Sequence, residues 1–370
     1  MRKSTTVVNV IKIMLFLAFL IVPVIFINRK DNQVSEIDNT ILMNADQVGK
    51  VNSLSDDMEV YLSQHIGFRD RMLTKYIDVN DKAFNMLIHP QYEYGKEGYV
   101  FFKMPEEKQD TGYLKAFARF TKRMQKYCNK RDIYFLYCIN PDKTEIYSEY
   151  LPAGVNLTYF RQRYLRVMLD KYGVNYMDNV PVLEEAAKSQ QVFNKKYDAG
   201  HWNDTGAYVG MSNILSELAK YDPSIPQNKR EDYTVVESVN EYLPLSYFKI
   251  NEPTVTLTRN KPEAIDISSQ DTDVRINPMY NDFSHYVNPK HKKLPRILVF
   301  RGSYFLGREK FMTESFSESI FVHSYENVFN LEYFVERYKP DIVLFESVEY
   351  ATINTYFSKE KLKTVKFVKS

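Results

Sequence analysis

The sequence has little of what marks a nucleic-acid-binding or metal-binding protein. Its 370 residues carry a net charge of +2, and they include six histidines, two cysteines and a single tryptophan. A nearly balanced charge does not favour a nucleic-acid surface or an acidic tail. No repeat or low-complexity tract is evident. A chain of this length can bury one large core or two modest ones.

The two cysteines, Cys128 and Cys138, are too few for a disulfide framework and lack the spacing of a metal site. An extracytoplasmic location would permit a disulfide between them. Cys138 lies in a predicted buried strand and Cys128 at the end of the preceding helix, so two buried thiols fit equally well. Most histidines also lack partners at metal-ligand spacing, and we therefore expect no metal and no cofactor. These are His65, His89, His285, His291 and His323.

The sequence has one long hydrophobic run, which lies near the N-terminus. Ile13 to Ile27 contains no charged residue, and counted from Val7 the run reaches bilayer-spanning length. A cleavable signal peptide has a similar pattern, but no small-x-small cleavage site follows the run. We therefore predict an uncleaved anchor over residues 7–28, with residues 1–6 cytoplasmic. Arg29 and Lys30 weaken the positive-inside bias, but the chain has no second span, so we expect its bulk outside.

Downstream of a polar linker (residues 29–55), apolar runs alternate with amphipathic segments. The runs "IYFLYCI", "RILVF" and "DIVLFES" have the length and composition of buried parallel strands. Helical spacing precedes or follows each of them, which predicts an α/β domain over residues 56–370. Residues 233–291 instead predict a β-rich insertion. The predicted helices are 56–87, 112–129, 158–172, 181–190, 204–220, 304–315 and 330–340.

A candidate nucleophile follows one of the predicted strands. In "ILVFRGSYF", Ser303 lies on a turn after Gly302, between a strand and the next predicted helix. Polar groups at the carboxyl ends of parallel strands line the ligand cleft of such sheets. Backbone N–H groups at the start of the following helix can hold an oxyanion. The alternative is structural, since a serine at this position often caps a helix.

A candidate base lies in "YDAGHWNDTG". The D-x-x-H spacing puts Asp198 within reach of one imidazole nitrogen of His201, which leaves the other nitrogen free to accept a proton. A serine, a histidine and an aspartate together describe an acyl-transfer site. The neighbouring Trp202 is predicted as a packing anchor or as a platform for a sugar. The alternative for the whole motif is a structural loop.

Two further polar residues follow the strand "IYFLYCI". Asn140 and Lys143 lie at the strand end that faces the predicted cleft, where Asn140 is a candidate oxyanion donor. The alternative is turn chemistry, because "NPDK" suits a type I turn. Arg301 follows the strand "RILVF", where its guanidinium would attract a charged sugar or cover the sheet edge.

The order of these motifs resembles that of membrane-anchored polysaccharide O-acetyltransferases related to the alginate O-acetylation proteins. "YLSQHIGFRDRM", "GKEGYVFF" and "CINPDKTEIYSEYLP" are similar to three segments of that family. "DAGHWNDTGAY" is similar to its Asp-His-Trp motif, and "ILVFRGSYF" to its strand that ends in "GDSF". Two features depart from the family pattern. The spacing D-x-x-H replaces D-x-H, which makes Asp204 an alternative to Asp198, and "RGS" replaces "GDS".

The resemblance implies an SGNH-hydrolase-like domain, with a mainly parallel sheet flanked by helices and a circularly permuted motif order. It also implies Ser303 as nucleophile, His201 as base and Asp198 as the residue that orients His201. The implied partners are a polysaccharide acceptor and a multispanning membrane acyltransferase that delivers the acetyl group. Two rival hypotheses remain from the residues, a carbohydrate esterase that uses water as the acceptor and a glycan-binding component without catalysis.

Overall fold

A computed structural model describes most of the chain, namely residues 2–35, 40–89, 91–103, 110–244 and 248–367. Met1, residues 36–39 of the predicted linker and residues 245–247 of the predicted insertion lie outside the described residues. The chain divides into two compact units. The first comprises Met1–Tyr94 and Asn240–Glu252, and the second comprises Gly95–Val239 and Pro253–Ser370.

The first unit begins with a long apolar helix, α1. Its segment Val7–Ile25 has a mean hydropathy of 2.6. The segment is long and apolar enough to cross a membrane as an anchor or to serve as a signal sequence. Helix α1 spans Arg2–Ile25. Further elements of this unit are short strands and two more helices: β1 Val34–Ser35, β2 Thr40–Ile41, α2 Leu54–His65, α3 Arg69–Phe84 and β3 Tyr92–Tyr94.

The helical segment predicted over residues 56–87 is divided between α2 and α3. Phe68 has a left-handed backbone (φ 61°), which an α-helix cannot contain. A side chain at Gly67 would approach the carbonyl oxygen of Phe26 to 2.5 Å, so the chain passes that carbonyl closely. Glycine at this position therefore permits the break between the two helices.

The second unit is built on a seven-stranded sheet in the order β6-β5-β13-β11-β12-β10-β9. Strands β6, β5, β13, β11 and β12 pair in parallel, whereas β10 pairs antiparallel with β12 and β9. The strands of the unit's sheets are β4 Val100–Phe102, β5 Tyr134–Asn140, β6 Tyr176–Asp178, β7 Tyr233–Tyr242, β8 Lys249–Arg259, β9 Ile265–Asp266, β10 Phe283–Val287, β11 Arg296–Arg301, β12 Glu318–His323 and β13 Ile342–Val348. Strands β7 and β8 pair with each other and run on into Asn240–Glu252.

Helices cover both faces of this sheet, which explains why its central strands bury apolar side chains on both faces. In β11, Leu298 and Phe300 pack into one core and Ile297 and Val299 into the other. The helices are α4 Thr111–Asn129, α5 Lys143–Ile146, α6 Phe160–Tyr172, α7 Val180–Ala187, α8 Asp204–Tyr221, α9 Leu331–Tyr338 and α10 Lys359–Thr364. The predicted α/β class with a mainly parallel sheet is confirmed.

One predicted helix is wrong. Residues 304–315 form three short 3₁₀ turns instead of an α-helix: Ser303–Phe305, Glu309–Phe311 and Thr313–Ser315. Gly307 interrupts the segment with a left-handed backbone (φ 69°). Four side chains of this segment are buried in the core: Tyr304, Phe305, Phe311 and Met312. They do not lie on one face of a helix, as an amphipathic helix would require.

Both cysteines are buried free thiols. Burial raises the pKa of Cys128 to about 12 and the pKa of Cys138 well above its ordinary value. They are therefore inert packing residues, which agrees with one of the two alternatives for them.

Candidate active site

Ser303 lies directly after β11, at the carboxyl end of the central parallel strands. The strand reaches Arg301, Gly302 is extended (φ −85°, ψ −171°), and Ser303 opens a 3₁₀ turn. Because β11 is buried on both faces, this turn is the first point at which a side chain can leave the core. The serine is half-buried there and accessible to a ligand.

Asp198 and His201 lie on a tight turn before helix α8. Asp198 has a left-handed backbone (φ 55°), and its Oδ1 accepts hydrogen bonds from the amides of Gly200 (3.2 Å) and His201 (3.1 Å). Such a turn is typical of aspartate, whose side chain bonds to the backbone two and three residues ahead. Asn203 then caps α8 by accepting from the amide of Gly206.

The side chains of Asp198, His201 and Ser303 form one hydrogen-bonded chain. Nδ1 of His201 lies 2.9 Å from both carboxylate oxygens of Asp198, and Nε2 lies 2.8 Å from Oγ of Ser303. Burial of the Asp198 carboxylate acts to raise its pKa. The hydrogen bonds from the His201 ring and from the two amides outweigh burial, so the pKa of Asp198 is lowered and the carboxylate stays ionised.

This geometry is suited to removing a proton from the serine. An ionised Asp198 favours the imidazole tautomer with its hydrogen on Nδ1, which leaves Nε2 to accept a hydrogen bond from Ser303. The side chains of His201 and Asp198 are 33% and 29% exposed, so a substrate can reach them.

Asp204, the alternative to Asp198, is bound elsewhere. Its carboxylate is buried and forms ion pairs with Arg308 (2.7 Å) and Lys310 (2.6 Å), and it accepts a hydrogen bond from the amide of Leu257 (2.8 Å). These contacts attach the start of α8 to the segment after Ser303. The structure therefore brings Asp198 to His201 and gives Asp204 a structural role.

Trp202 is a packing anchor in this structure. Its side chain is buried, and its Nε1 donates a hydrogen bond to the carbonyl oxygen of Tyr304 (2.8 Å). Gly210 on α8 faces the indole so closely that an added Cβ would lie 2.5 Å from the ring. The predicted alternative, a sugar platform, is wrong because no face of the indole is open. Trp202 instead fixes the histidine turn against the serine turn.

Lys143 and Arg301, predicted near the cleft, are both buried. Nζ of Lys143 donates to the carbonyl oxygens of Val100 (2.8 Å) and Lys195 (3.0 Å), so the ammonium group holds two backbone segments together. The guanidinium of Arg301 is 1% exposed and lies 3.8 Å from Asp282 and 3.8 Å from Glu309. Neither cation faces solvent where it would meet a charged sugar.

Asn140 and Gly302, the predicted oxyanion donors, both contact one carboxylate. Nδ2 of Asn140 donates to Oε1 of Glu346 (2.9 Å), and the amide of Gly302 donates to Oε2 of Glu346 (2.5 Å). The single N–H of Gly302 is thereby used. Asn140 keeps a second N–H, because a primary amide has two.

Sequence reasoning missed Glu346 and Tyr350. Glu346 lies within the otherwise apolar strand β13, and a lone carboxylate in such a strand is the signal that would have pointed to it. Tyr350 follows the same strand, and its side chain is hydrogen-bonded to Ser303. Burial raises the pKa of Tyr350, so its hydroxyl stays protonated.

A groove lies next to the start of helix α8. Its volume is about 580 Å³, and Asn203 and Thr205 form part of its wall, whereas Asp198, His201 and Ser303 do not. The remaining wall combines amide and hydroxyl groups with one carboxylate and three apolar residues: Gln190, Gln191, Asn194, Glu237, Ser238, Thr254, Val239, Pro253 and Val255. The amide and hydroxyl groups both donate and accept hydrogen bonds, which is the chemistry that sugar hydroxyls require.

The chain is similar in sequence to one described family. Residues 94–246 match the family model of the SGNH hydrolase-like domain of the acetyltransferase AlgX. The matched segment contains the histidine turn. No curated protein matches the chain in sequence.

The solved structures that share the fold include the following three. PatB1 from Bacillus cereus, solved with a sulfonyl adduct, is 17% identical and has a TM-score of 0.54, covering 73% of this chain and 98% of its own. A DHHW family protein from Eubacterium siraeum is 14% identical, with a TM-score of 0.52 and coverage of 75% and 97%. The O-acetyltransferase domain of Pseudomonas putida AlgJ is 14% identical, with a TM-score of 0.50 and coverage of 74% and 99%. The family resemblance and the SGNH-like fold are confirmed.

Proposed function

We propose that this chain, whose residues 94–246 match an SGNH hydrolase-like acetyltransferase domain, is a membrane-anchored O-acetyltransferase that acetylates a cell-surface or exported polysaccharide. The observation that carries the proposal is the hydrogen-bonded chain Asp198–His201–Ser303. The groove at the start of α8, whose wall includes amide and hydroxyl side chains, supports a carbohydrate acceptor.

In the first half of the reaction, Oγ of Ser303 attacks the carbonyl carbon of an acetyl ester while Nε2 of His201 takes the hydroxyl proton. The resulting imidazolium is stabilised by the Asp198 carboxylate. The hydroxyl of Tyr350 and the second N–H of Asn140 are the donors we assign to the oxyanion. The tetrahedral intermediate then collapses, His201 protonates the leaving alkoxide, and Ser303 carries the acetyl group as an ester.

In the second half, a sugar hydroxyl takes the place of the departed alcohol. His201 removes its proton, the sugar oxygen attacks the acetyl carbonyl, and the proton passes from His201 to Oγ of Ser303. The products are an acetylated sugar and free enzyme. Water can act as acceptor in the same step, and the product is then acetate, so the identity of the acceptor separates a transferase from an esterase.

The proposal places the site of action outside the cytoplasm, with residues 1–6 inside and the rest of the chain beyond an uncleaved anchor. The apolar segment Val7–Ile25 would hold the enzyme at the membrane surface, where exported glycans pass. The acetyl group would then come from a multispanning membrane acyltransferase that delivers it from the cytoplasm. Such a donor needs no cofactor bound by this chain.

The test uses the full-length protein in detergent with 4-nitrophenyl acetate as donor and a panel of neutral and uronic-acid oligosaccharides as acceptors. We expect an acetyl group on Ser303 in the intact-mass spectrum after a rapid quench, and acetylated oligosaccharide as product. Ser303→Ala should abolish both. The matched control is Ser315→Ala, because the buried Ser315 hydroxyl donates to the carbonyl oxygen of Pro226 and has no part in the site.

Release of acetate with every acceptor, and no acetylated sugar, would make the enzyme an esterase. Turnover by Ser303→Ala equal to that of the wild type would remove the serine from the mechanism and overturn the proposal.

A further inference from the structure

Glu346 is a fully buried carboxylate next to the nucleophile turn, and the reaction proposed above does not use it. Each of its oxygens accepts one hydrogen bond at the carboxyl end of the sheet. Oε2 accepts from the amide of Gly302, which immediately precedes Ser303, and Oε1 accepts from the side chain of Asn140. One carboxylate thus joins the ends of strands β5, β13 and β11.

Glu346 is also the last acceptor of a chain of three side-chain amides. Nδ2 of Asn213 on α8 donates to Oδ1 of Asn179 (2.9 Å), and Nδ2 of Asn179 donates to Oδ1 of Asn140 (2.7 Å). Nδ2 of Asn140 then donates to Glu346. An amide can be turned over in such a chain, but an ionised carboxylate only accepts. The carboxylate therefore fixes which way every amide points.

The carboxylate also occupies the space beside Gly302. A Cβ added to Gly302 would lie 3.3 Å from Oε2 of Glu346. A carboxyl side chain at position 302 would meet a second carboxylate there, and two like charges that close oppose each other's ionisation. Glycine before Ser303 and glutamate at 346 are thus compatible as a pair.

We propose that Glu346 is a positioning residue of the acyl-transfer site, holding the Ser303 turn through the Gly302 amide and aiming the Asn140 amide at the oxyanion. This inference rests on the proposed role of Ser303 as nucleophile. Glu346 does not touch the reacting atoms. It acts through the Asn140 amide, which we assign to the oxyanion, and through the Gly302 amide, which adjoins Ser303.

The protonation of Glu346 is set by the groups around it. Burial raises the pKa of Glu346 to about 7. The hydrogen bonds from Gly302 and Asn140 and the charges of Arg301 and His201 act to lower this pKa, but burial outweighs them. Further ionisable groups that interact with it are Cys138, Tyr304 and Tyr325. A proton on either oxygen replaces an acceptor with a donor that faces the amide of Gly302 or of Asn140. Acidification should therefore disturb the site near neutral pH.

The test compares Glu346→Gln with the wild type in the full-length protein. Glutamine keeps the shape of the side chain, but its NH₂ group would face an N–H donor, either that of Gly302 or that of Asn140. We expect kcat for 4-nitrophenyl acetate to fall about 100-fold, as for a displacement of about 1 Å, with KM within about twofold. The rate at which a sulfonyl fluoride labels Ser303 should fall by a similar factor.

A pH profile separates positioning from a merely structural role. Only the wild type can gain a proton at position 346, so its kcat/KM should fall more steeply than that of Glu346→Gln as the pH drops through about 7. The difference in kcat/KM between the two proteins should therefore shrink in acid. The matched control is Glu309→Gln, because Glu309 is a buried acid near Arg301 and has no hydrogen bond with Gly302 or Asn140 among the described contacts. It should keep the steeper fall of the wild type.

Wild-type kcat and a wild-type fall of kcat/KM in acid in Glu346→Gln would overturn the positioning role and leave the proposed function standing. The same loss in Glu309→Gln would also overturn it, because any buried acid would then do. Slowed sulfonylation of Ser303 in Glu346→Gln, in an enzyme that transfers no acetyl group, would support Glu346 and refute the proposed function. An unreactive wild-type Ser303 would refute both.

Discussion

At the scale of single residues, Asp198 and Asp204 lie three positions before and three positions after His201, and only Asp198 contacts the imidazole. Asp198→Asn keeps the shape of the turn but removes the charge that fixes the histidine tautomer. We expect kcat to fall by up to about 10⁴-fold with little change in melting temperature. Turnover of 4-nitrophenyl acetate and thermal unfolding, measured on the same sample, check this.

Asp204→Asn is the matched control, because it removes a carboxylate at the same distance in sequence. It should lower the melting temperature, since Arg308 and Lys310 lose a buried partner, while the rate per folded molecule stays near that of the wild type. The reverse pattern, an inactive Asp204→Asn and an active Asp198→Asn, would contradict the assignment.

Glu346 should also be visible in the pH dependence of stability. Its pKa in the folded protein is raised from 4.5 to about 7, so the folded chain holds this proton more tightly than the unfolded chain. The resulting contribution to the free energy of unfolding is fully present below pH 4.5 and is lost as the pH rises through 7. The expected loss is about 3 kcal/mol.

Urea unfolding of the wild type and of Glu346→Gln at a series of pH values measures this loss as a difference between the two proteins. Titration of other groups, including the raised pKa of His285 between Asp271 and Glu318, cancels in that difference. If the free energies of unfolding of the two proteins change in parallel between pH 4.5 and 7, Glu346 does not titrate in that range.

At the scale of elements, helix α8 positions His201 through packing. Gly210→Ala would place a methyl group 2.5 Å from the Trp202 ring, so the indole has to move. Trp202 is adjacent to His201, and its indole is hydrogen-bonded to the carbonyl oxygen of Tyr304. Movement of the indole should therefore shift His201 away from Ser303. We expect Gly210→Ala to lower both the melting temperature and kcat, the latter by about tenfold or more.

Gly112→Ala on α4 is the control for this substitution. Gly112 is exposed on a helix, and an added Cβ there meets only the Asp110 side chain, at 3.3 Å. It should leave kcat unchanged and stabilise the protein by about 0.5 kcal/mol. A wild-type rate in Gly210→Ala would mean that the indole does not hold the histidine turn.

The sequence predicts those elements whose pattern is set locally. Strand β11 follows from an apolar run and helix α8 from helical spacing, and Asp198 and His201 are only three residues apart. The 3₁₀ turns after Ser303 were not predictable, because burial of Tyr304 and Phe311 is decided by tertiary packing. Glu346 was not predictable either, since it meets Gly302 only through the register that pairs Phe345 with Phe300.

At the scale of the whole molecule, the apolar helix α1 predicts where the enzyme is found. Full-length protein should stay in the membrane fraction after a high-salt wash, because Val7–Ile25 is apolar enough to span the bilayer. In intact cells, externally added protease should degrade the chain beyond residue 28. Fractionation and protease protection, followed with a C-terminal epitope, measure both.

A cytoplasmic reporter protein that survives the protease is the control for intact cells. A soluble form in the medium, shortened at its N-terminus, would show that the apolar helix is a cleaved signal sequence. Protection of the whole chain from protease would place its bulk on the cytoplasmic side.

The order of strands in the main sheet has a consequence for biogenesis. Strand β13 lies between β5 and β11, yet it comes last of the three in the chain. In the proposed orientation the chain crosses the membrane in order from the anchor towards the C-terminus, so β5 and β11 arrive with their shared neighbour still missing. Each then exposes an unpaired strand edge, which is a site for aggregation. Until Val348 has emerged, the second unit cannot complete its sheet, and in that interval a chaperone on the same side of the membrane would have its longest opportunity to bind.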